Sequence, residues 1–251
     1  MRAGGSAIPL RAGTLASVAA TGLPVPSYDR SRVAAGIVHI GVGGFSRSHQ
    51  AMYLDRLLAA GAATDWGICG VGLRAEDRRM KEVLTAQDRL YTLLVKHGDG
   101  RVEPRVIGSL VEYLWGPDDP DAVAEKLAGP ATRIVSLTIT EDGYGLDAGT
   151  GSVDVRKVSA AGRFPSGLSG TAPGVVAEGL RRRRDRGLAP FTVLSCDNLR
   201  DNGTVARRSV AGSAALVDPG LAEWIQADVS FPSSMVDRIT PVTTADDVAM
   251  L

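Results

Sequence analysis

The chain has 251 residues, 44% hydrophobic and 22% charged, which is enough for one large α/β domain or two small ones and rules out disorder by composition. Its 28 basic and 28 acidic residues cancel, so neither a nucleic acid nor an anionic membrane is expected as the main partner. No apolar run is long enough to cross a bilayer, and the N-terminus lacks the compact apolar core of a signal peptide, so a cytoplasmic location is expected.

Residues 1–35 are rich in Gly, Ala, Ser and Pro and read as an arm, extended on a domain surface or partly disordered. The run "GIVHI" that follows is apolar at nearly every position, as a parallel strand covered on both faces should be. A helix is expected from about Ser46 to Ala60, with Ala51, Leu54, Leu57 and Leu58 on its apolar face and Gly61 as its stop. "WGICGVGL" reads as a second buried strand, and "AEDRRMKEVLTAQ" as an amphipathic helix with Met80, Val83 and Leu84 inward. "RLYTLLVK" and "RVEPRVIGSL" flank "HGDG", a hairpin signal. "PDDPDAVAEKLAG" begins a helix with acids in its first turn. "RIVSLTIT" is a strand, "GTAPGVVAEGLRRRRDRG" a helix and "FTVLSCDN" a strand, and two helical segments follow near 203–215 and 218–227. The run "RRRRDR" reads as a solvated helix end, its cations near the negative pole. Cys69 and Cys196 sit in apolar runs and read as small buried hydrophobes, too few for a disulfide framework.

Strands alternating with helices predict a doubly wound, Rossmann-type, mostly parallel sheet with helices on both faces and a hairpin insertion. In such a sheet ligands bind outside the carboxyl ends of the strands. The clusters "GVGGFSR", "LRAED", "TEDGY" and "CDNLRDNG" each follow an apolar strand and should converge there.

Gly41, Gly43 and Ser46 occupy the three positions of a G-x-G-x-x-G pattern between strand and helix. The first glycine permits the sharp turn and the second lets a pyrophosphate approach the backbone. The third position needs a small residue for close packing, and serine serves. Phosphates would then face helix N–H groups. Glu76 and Asp77 follow the second strand at longer spacing than the usual fingerprint. An acid there would bind the adenosine ribose hydroxyls and favour NAD. Arg74 could instead pair with a 2′-phosphate, which leaves NADP open. As plain structure, the two acids are an acidic helix start.

"GIVHIGVGGFSRSHQAMYLDRLL", "WGICGVGLR…RRMKEVLTAQDRLYTLL", "SLTITEDGYG", "LSCDNLRDNG" and "FPSSMVDRITP" together resemble the mannitol dehydrogenase family, the polyol-specific long-chain dehydrogenases and reductases. The resemblance runs from about residue 23 to the last, with Ser233 where many members carry Asn. It implies metal-independent, NAD(P)-dependent hydride transfer between a sugar alcohol or aldonate and the matching ketose or keto-uronate. It further implies that Asn198 polarises the reacting oxygen and that Asp237 lies near substrate and nicotinamide. Gly41, Gly43, Gly44, Phe45, Ser46, Arg47, Glu76, Thr140, Glu141 and Val236 are the implied cofactor contacts. Glu141 and Tyr144 are expected on the same rim, and His49 in a packing or capping role. His39, His49 and His97 form no ligand-spaced cluster, and no metal is expected.

The resemblance implies domain limits of 1–35 for the arm, 36–245 for the Rossmann-type domain and 246–251 for the stub of a C-terminal helical domain that is itself absent. The family's catalytic lysine lies in a "K-x-R-x-L-N-x-x-H"-like segment of that domain. The four lysines present, Lys81, Lys96, Lys126 and Lys157, lie in no such segment. Two readings stand side by side: a dehydrogenase domain incomplete by itself, from a shortened chain or a truncated gene, and a noncatalytic dinucleotide-binding module. Both predict cofactor binding without efficient turnover, and self-association through the uncovered surface.

Overall fold

The computed structural model describes residues 7–147, 149–159, 161–236 and 238–250. Its strands are β1 (Ala35–Ile40), β2 (Gly67–Gly72), β3 (Tyr91–Lys96), β4 (Val102–Ile107), β5 (Leu110–Trp115), β6 (Ile134–Leu137) and β7 (Thr192–Ser195). Five of them form one parallel sheet in the order β5-β2-β1-β6-β7, and β3 and β4 pair as a separate antiparallel hairpin.

Every residue of β1 is buried, because β1 is central and helices cover both faces. Side chains alternate across the sheet. Val38 and Ile40 join Val135 and Leu137 of β6 in a core closed by the helices Pro120–Ala128, Ala172–Asp185, Asn202–Ala215 and Pro219–Asp228. Ile37 points the other way, into a smaller core with Ala51, Ile68, Leu84 and Tyr91. Each fully buried aliphatic side chain contributes about 1.5–3 kcal/mol, so the larger core dominates stability.

The expected doubly wound sheet and hairpin insertion are present. Several local readings change. The predicted second arm of the hairpin, residues 101–110, ends earlier than expected: Val102–Ile107 pairs in the hairpin, and a strand not expected from the sequence, Leu110–Trp115, follows Gly108 and Ser109 as the edge strand β5. The first long helix divides at His49 into Gly44–Ser48 and Gln50–Ala59. On the latter, Leu57 is exposed and Asp55 takes a buried place, accepting hydrogen bonds from the Tyr28 hydroxyl (2.7 Å) and the Gly108 N–H (2.9 Å). Periodicity could not show this, since Asp55 is buried only because two donors from distant segments meet it. Val83 is exposed likewise, while Leu84 is buried.

The described part of the arm holds a short helix, Leu15–Ala20, and a satellite core of Val18, Leu90 and Val106. Arg30 fastens it to the body by donating to the carbonyls of Gly108, Asp88 and Leu110. The arginine run is not a solvated helix end. Arg182 pairs with Asp121, Glu125 and the buried Glu178, Arg181 with Glu178 and Asp185, and Arg184 with Asp218. Arg183 is buried and donates to the carbonyls of Ala189, Gly129 and Thr132. The run joins helices across the larger core's surface because acids on neighbouring helices face it.

Burial pushes the Cys69 thiol up to about 12 and that of Cys196 up to about 11, so both stay protonated and poorly nucleophilic near neutrality. Among the described residues, no helix is long and apolar enough to cross a membrane.

Candidate functional site

From β1 the chain moves to β2 and β5 on one side, then returns to β6 and β7 on the other. The reversal opens a crevice outside the carboxyl ends of β1 and β6. The Gly41–Ser46 turn, the Thr138–Glu141 loop and the Cys196–Asn198 loop all border it.

Gly41 has φ +92°, and a Cβ there would run into the Thr138 carbonyl oxygen, so only glycine fits. At Gly43, the N-cap of Gly44–Ser48, the nearest atom to such a Cβ is the Gly41 oxygen at 3.7 Å. The turn is therefore tight where it crosses to β6 and open where a pyrophosphate would approach. Ser46 is buried against the sheet, and its hydroxyl donates to the Gly43 carbonyl at 3.3 Å. Phe45 stacks on His49 with centroids 4.9 Å apart. Arg47 turns inward: its Nε donates to the Gly43 oxygen at 3.1 Å, and its guanidinium lies 5.9 Å from the Tyr91 ring centre. Thr240 presses on Gly44, and its hydroxyl lies 2.7 Å from that of Ser48.

Beneath the turn lies a buried polar chain. The Thr138 hydroxyl donates to the Gly41 carbonyl at 2.6 Å, and His39 Nε2 lies 3.3 Å from the same oxygen. His39 Nδ1 meets the Ser136 hydroxyl at 2.8 Å, and that oxygen accepts from the Gln50 amide at 3.0 Å. Because the Gly41 carbonyl can only accept, Nε2 carries the proton and Nδ1 accepts from Ser136. Desolvation pushes the His39 pKa down to about 4, so the ring is neutral at pH 7.

At the end of β2, Glu76 is exposed and pairs with Arg74 at 3.3 Å. Asp77 does not point outward as a second ribose ligand, since its carboxylate accepts from the Arg74 N–H at 2.9 Å and caps the local turn.

At the ends of β6 and β7, Asp197 is the organising group. It accepts from the N–H groups of Ile139 (3.1 Å) and Thr140 (3.0 Å) and from the Tyr144 hydroxyl (2.8 Å). Tyr144 is buried, in contrast to the expected rim position, with its hydroxyl also 2.6 Å from that of Ser195. Burial and the Asp197 charge push its pKa far above the ordinary phenol value. Asn198 is exposed. Glu141 is exposed beside Thr140 and Val236 is half-buried, while Asp237 lies outside the described residues. Asn202, buried, donates to the carbonyls of Asp197 (3.1 Å) and Ser234 (2.9 Å), tying β7 to the C-terminal segment.

Sequence reasoning passed over His39, Thr138, Asp197 and Asn202 as site supports. For His39 and Ser136 a signal existed, namely a polar residue inside an otherwise apolar strand. For Asp197 there was none beyond adjacency to Asn198.

A parallel sheet with a glycine turn at its reversal point is a Rossmann-type domain. The chain belongs to the mannitol dehydrogenase family: the sequence profile described as "Mannitol dehydrogenase Rossmann domain" matches residues 35–250. It is 48% identical over 237 residues to a polyol:NADP oxidoreductase of Gluconobacter oxydans, covering 93% of this chain and 48% of the relative. It is 49% identical over 220 residues to a mannitol 2-dehydrogenase of Cereibacter sphaeroides, covering 87% and 46%. The structure of Pseudomonas fluorescens mannitol 2-dehydrogenase in ternary complex with NAD and D-mannitol superposes with a TM-score of 0.87 at 41% identity, over 97% of this chain and 49% of that one. The chain thus spans about half the length of the relatives it matches.

Proposed function

We propose that this chain is the nucleotide-binding part of an NAD(P)-dependent oxidoreductase that interconverts a sugar alcohol or aldonate and its ketose or keto-uronate. The observation that carries the reading is the Gly41–Ser46 turn, left-handed at Gly41 and open at Gly43, at the sheet's reversal point. The residues present suit a dinucleotide. Gly41, Gly43, Gly44, Phe45, Ser46 and Arg47 would border the pyrophosphate, and Glu76 the adenosine ribose. Thr140, Glu141 and Val236 would border the nicotinamide end. The nicotinamide, when bound, supplies or accepts the hydride. The Asn198 amide, exposed at the rim, would donate to the reacting oxygen and stabilise a developing alkoxide. Asp237 is its proposed neighbour at the substrate.

The proton donor comes, in this reading, from outside these 251 residues. Lys81 pairs with Asp118, Lys96 with Asp247, Lys126 with Glu112 and Lys157 with Asp142. The domain limits of 36–245, with an arm before and a stub of a helical domain after, belong to the same proposal, as does a cytoplasmic setting.

Calorimetric titration with NADH and NADPH tests the reading. Saturable binding is expected, with NADH favoured; no heat from either at millimolar concentration sinks it. Glu76→Ala should narrow the preference by about tenfold, since a lost hydrogen bond to a charged group costs about 1.5–3 kcal/mol. Mannitol- or mannonate-dependent NAD reduction by this chain alone would refute the external proton donor.

A further inference from the structure

We propose that Asp197 is a positioning residue: its carboxylate holds Thr140 in a left-handed backbone conformation that the nicotinamide end of the cofactor site requires. The inference rests on the dinucleotide reading above and adds a residue that the reading does not use. Thr140 has φ +64°. For a β-branched residue this is a genuine outlier, and it persists only where the surroundings impose it. Thr140 opens the helical turn Thr140–Gly143, and the side chain that meets its N–H is Asp197. Asp197 Oδ1 accepts the N–H of Thr140 at 3.0 Å, and Oδ2 accepts that of Ile139 at 3.1 Å. The two oxygens thus grip the consecutive amides that flank Ile139, and so fix the peptide that leads into Thr140. Hydrogen bonds to an ionised acceptor are about twice as strong as neutral ones, enough to offset the strain.

The carboxylate is itself fixed. The Tyr144 hydroxyl donates to it at 2.8 Å, and the Asn202 amide holds the Asp197 carbonyl at 3.1 Å. The clamp therefore couples the β6 loop, which carries Thr140 and Glu141, to the β7 loop, which carries Asn198. A glycine at 140 would adopt the same φ without strain. Threonine held by a carboxylate gives one shape and a hydroxyl at the rim, where glycine gives many shapes and none.

The test combines variants with two readouts. In the unmutated chain the Ile139 and Thr140 amides should exchange slowly with deuterium, and fast exchange overturns the clamp. Asp197→Asn should speed both exchanges and weaken NADH binding about tenfold, the effect of one lost charge-assisted hydrogen bond. Tyr144→Phe removes a support of the carboxylate but neither amide contact, and should leave NADH affinity within about twofold. In a Thr140→Gly background, Asp197→Asn should cost less than about threefold, because no strain remains to be held. A Tm loss with NADH affinity unchanged in Asp197→Asn, equal losses in Asp197→Asn and Tyr144→Phe, or an undiminished loss in the glycine background would each overturn the proposal. If the unmutated chain binds no NADH, it is the dinucleotide reading that fails, and amide exchange still decides the clamp.

Discussion

The edge formed by β1, β6 and β7 and the segment Phe231–Met250 meet where the Ser234 hydroxyl donates to the Ser195 carbonyl, yet they are held in different ways. At the edge, buried polar groups are paired across strands: His39 with Ser136, Thr138 with the Gly41 carbonyl, Asp197 with two loop amides. Among the described residues the segment is anchored by Phe231 in the larger core, by Ser234 to Asn202 and the Ser195 carbonyl, by Thr240 to Ser48 and by Asp247 to Lys96. Between those anchors it leaves Met235, Ile239 and Val242 each about nine-tenths exposed. A site whose loops are already ordered pays little conformational entropy when a ligand arrives. The exposed side chains of the segment, by contrast, gain no stability from burial. The edge is therefore ordered by its own polar pairs, and the segment keeps apolar side chains at the surface.

The largest effect expected at the edge comes from Gly41→Ala. The added methyl meets the Thr138 carbonyl, and φ +92° is strained for alanine. A stability loss of about 2–4 kcal/mol is expected, together with loss of measurable NADH binding. Urea unfolding beside calorimetry checks it; a folded variant with unchanged affinity would show that the turn does not contact the cofactor.

A second effect of similar size depends on pH. His39 has its folded pKa depressed to about 4, from 6.5 when unfolded. Between those values the unfolded chain binds the extra proton, so stability rises with pH. The contribution is complete above about 6.5 and is lost as pH falls toward 4, on the order of 3 kcal/mol. His39→Gln should flatten that part of the profile. An identical pH slope in the variant would mean that other groups carry it.

The smallest effect on stability belongs to the segment. Replacing Ile239 and Val242 together by Ser should change unfolding free energy by less than about 0.5 kcal/mol per site, because both are exposed. The same variant should stay monomeric in sedimentation at concentrations where the unmutated chain associates. An unmutated chain that is monomeric throughout would show that Ile239 and Val242 do not drive association.

Much of this architecture is legible in the residues. The unbroken apolar runs of β1 and β2 announce parallel strands, "HGDG" announces the hairpin, and Gly41, Gly43 and Ser46 announce the turn. Local periodicity places Leu57 and Val83 inward, yet both are exposed, and local charge places the arginine run in solvent, yet acids from distant helices cover it. Asp55 is inside because Tyr28 and Gly108 reach it, and Arg182 is covered because Asp121 and Glu125 face it.

Local chemistry by itself determined the central strands, the turn that only glycine can make and the family, since period and steric freedom are written within a few neighbouring residues. The support of the site was decided only when β1, β6 and β7 came side by side. A carboxylate can hold a strained threonine 57 positions away only after folding has placed the two within 3.0 Å.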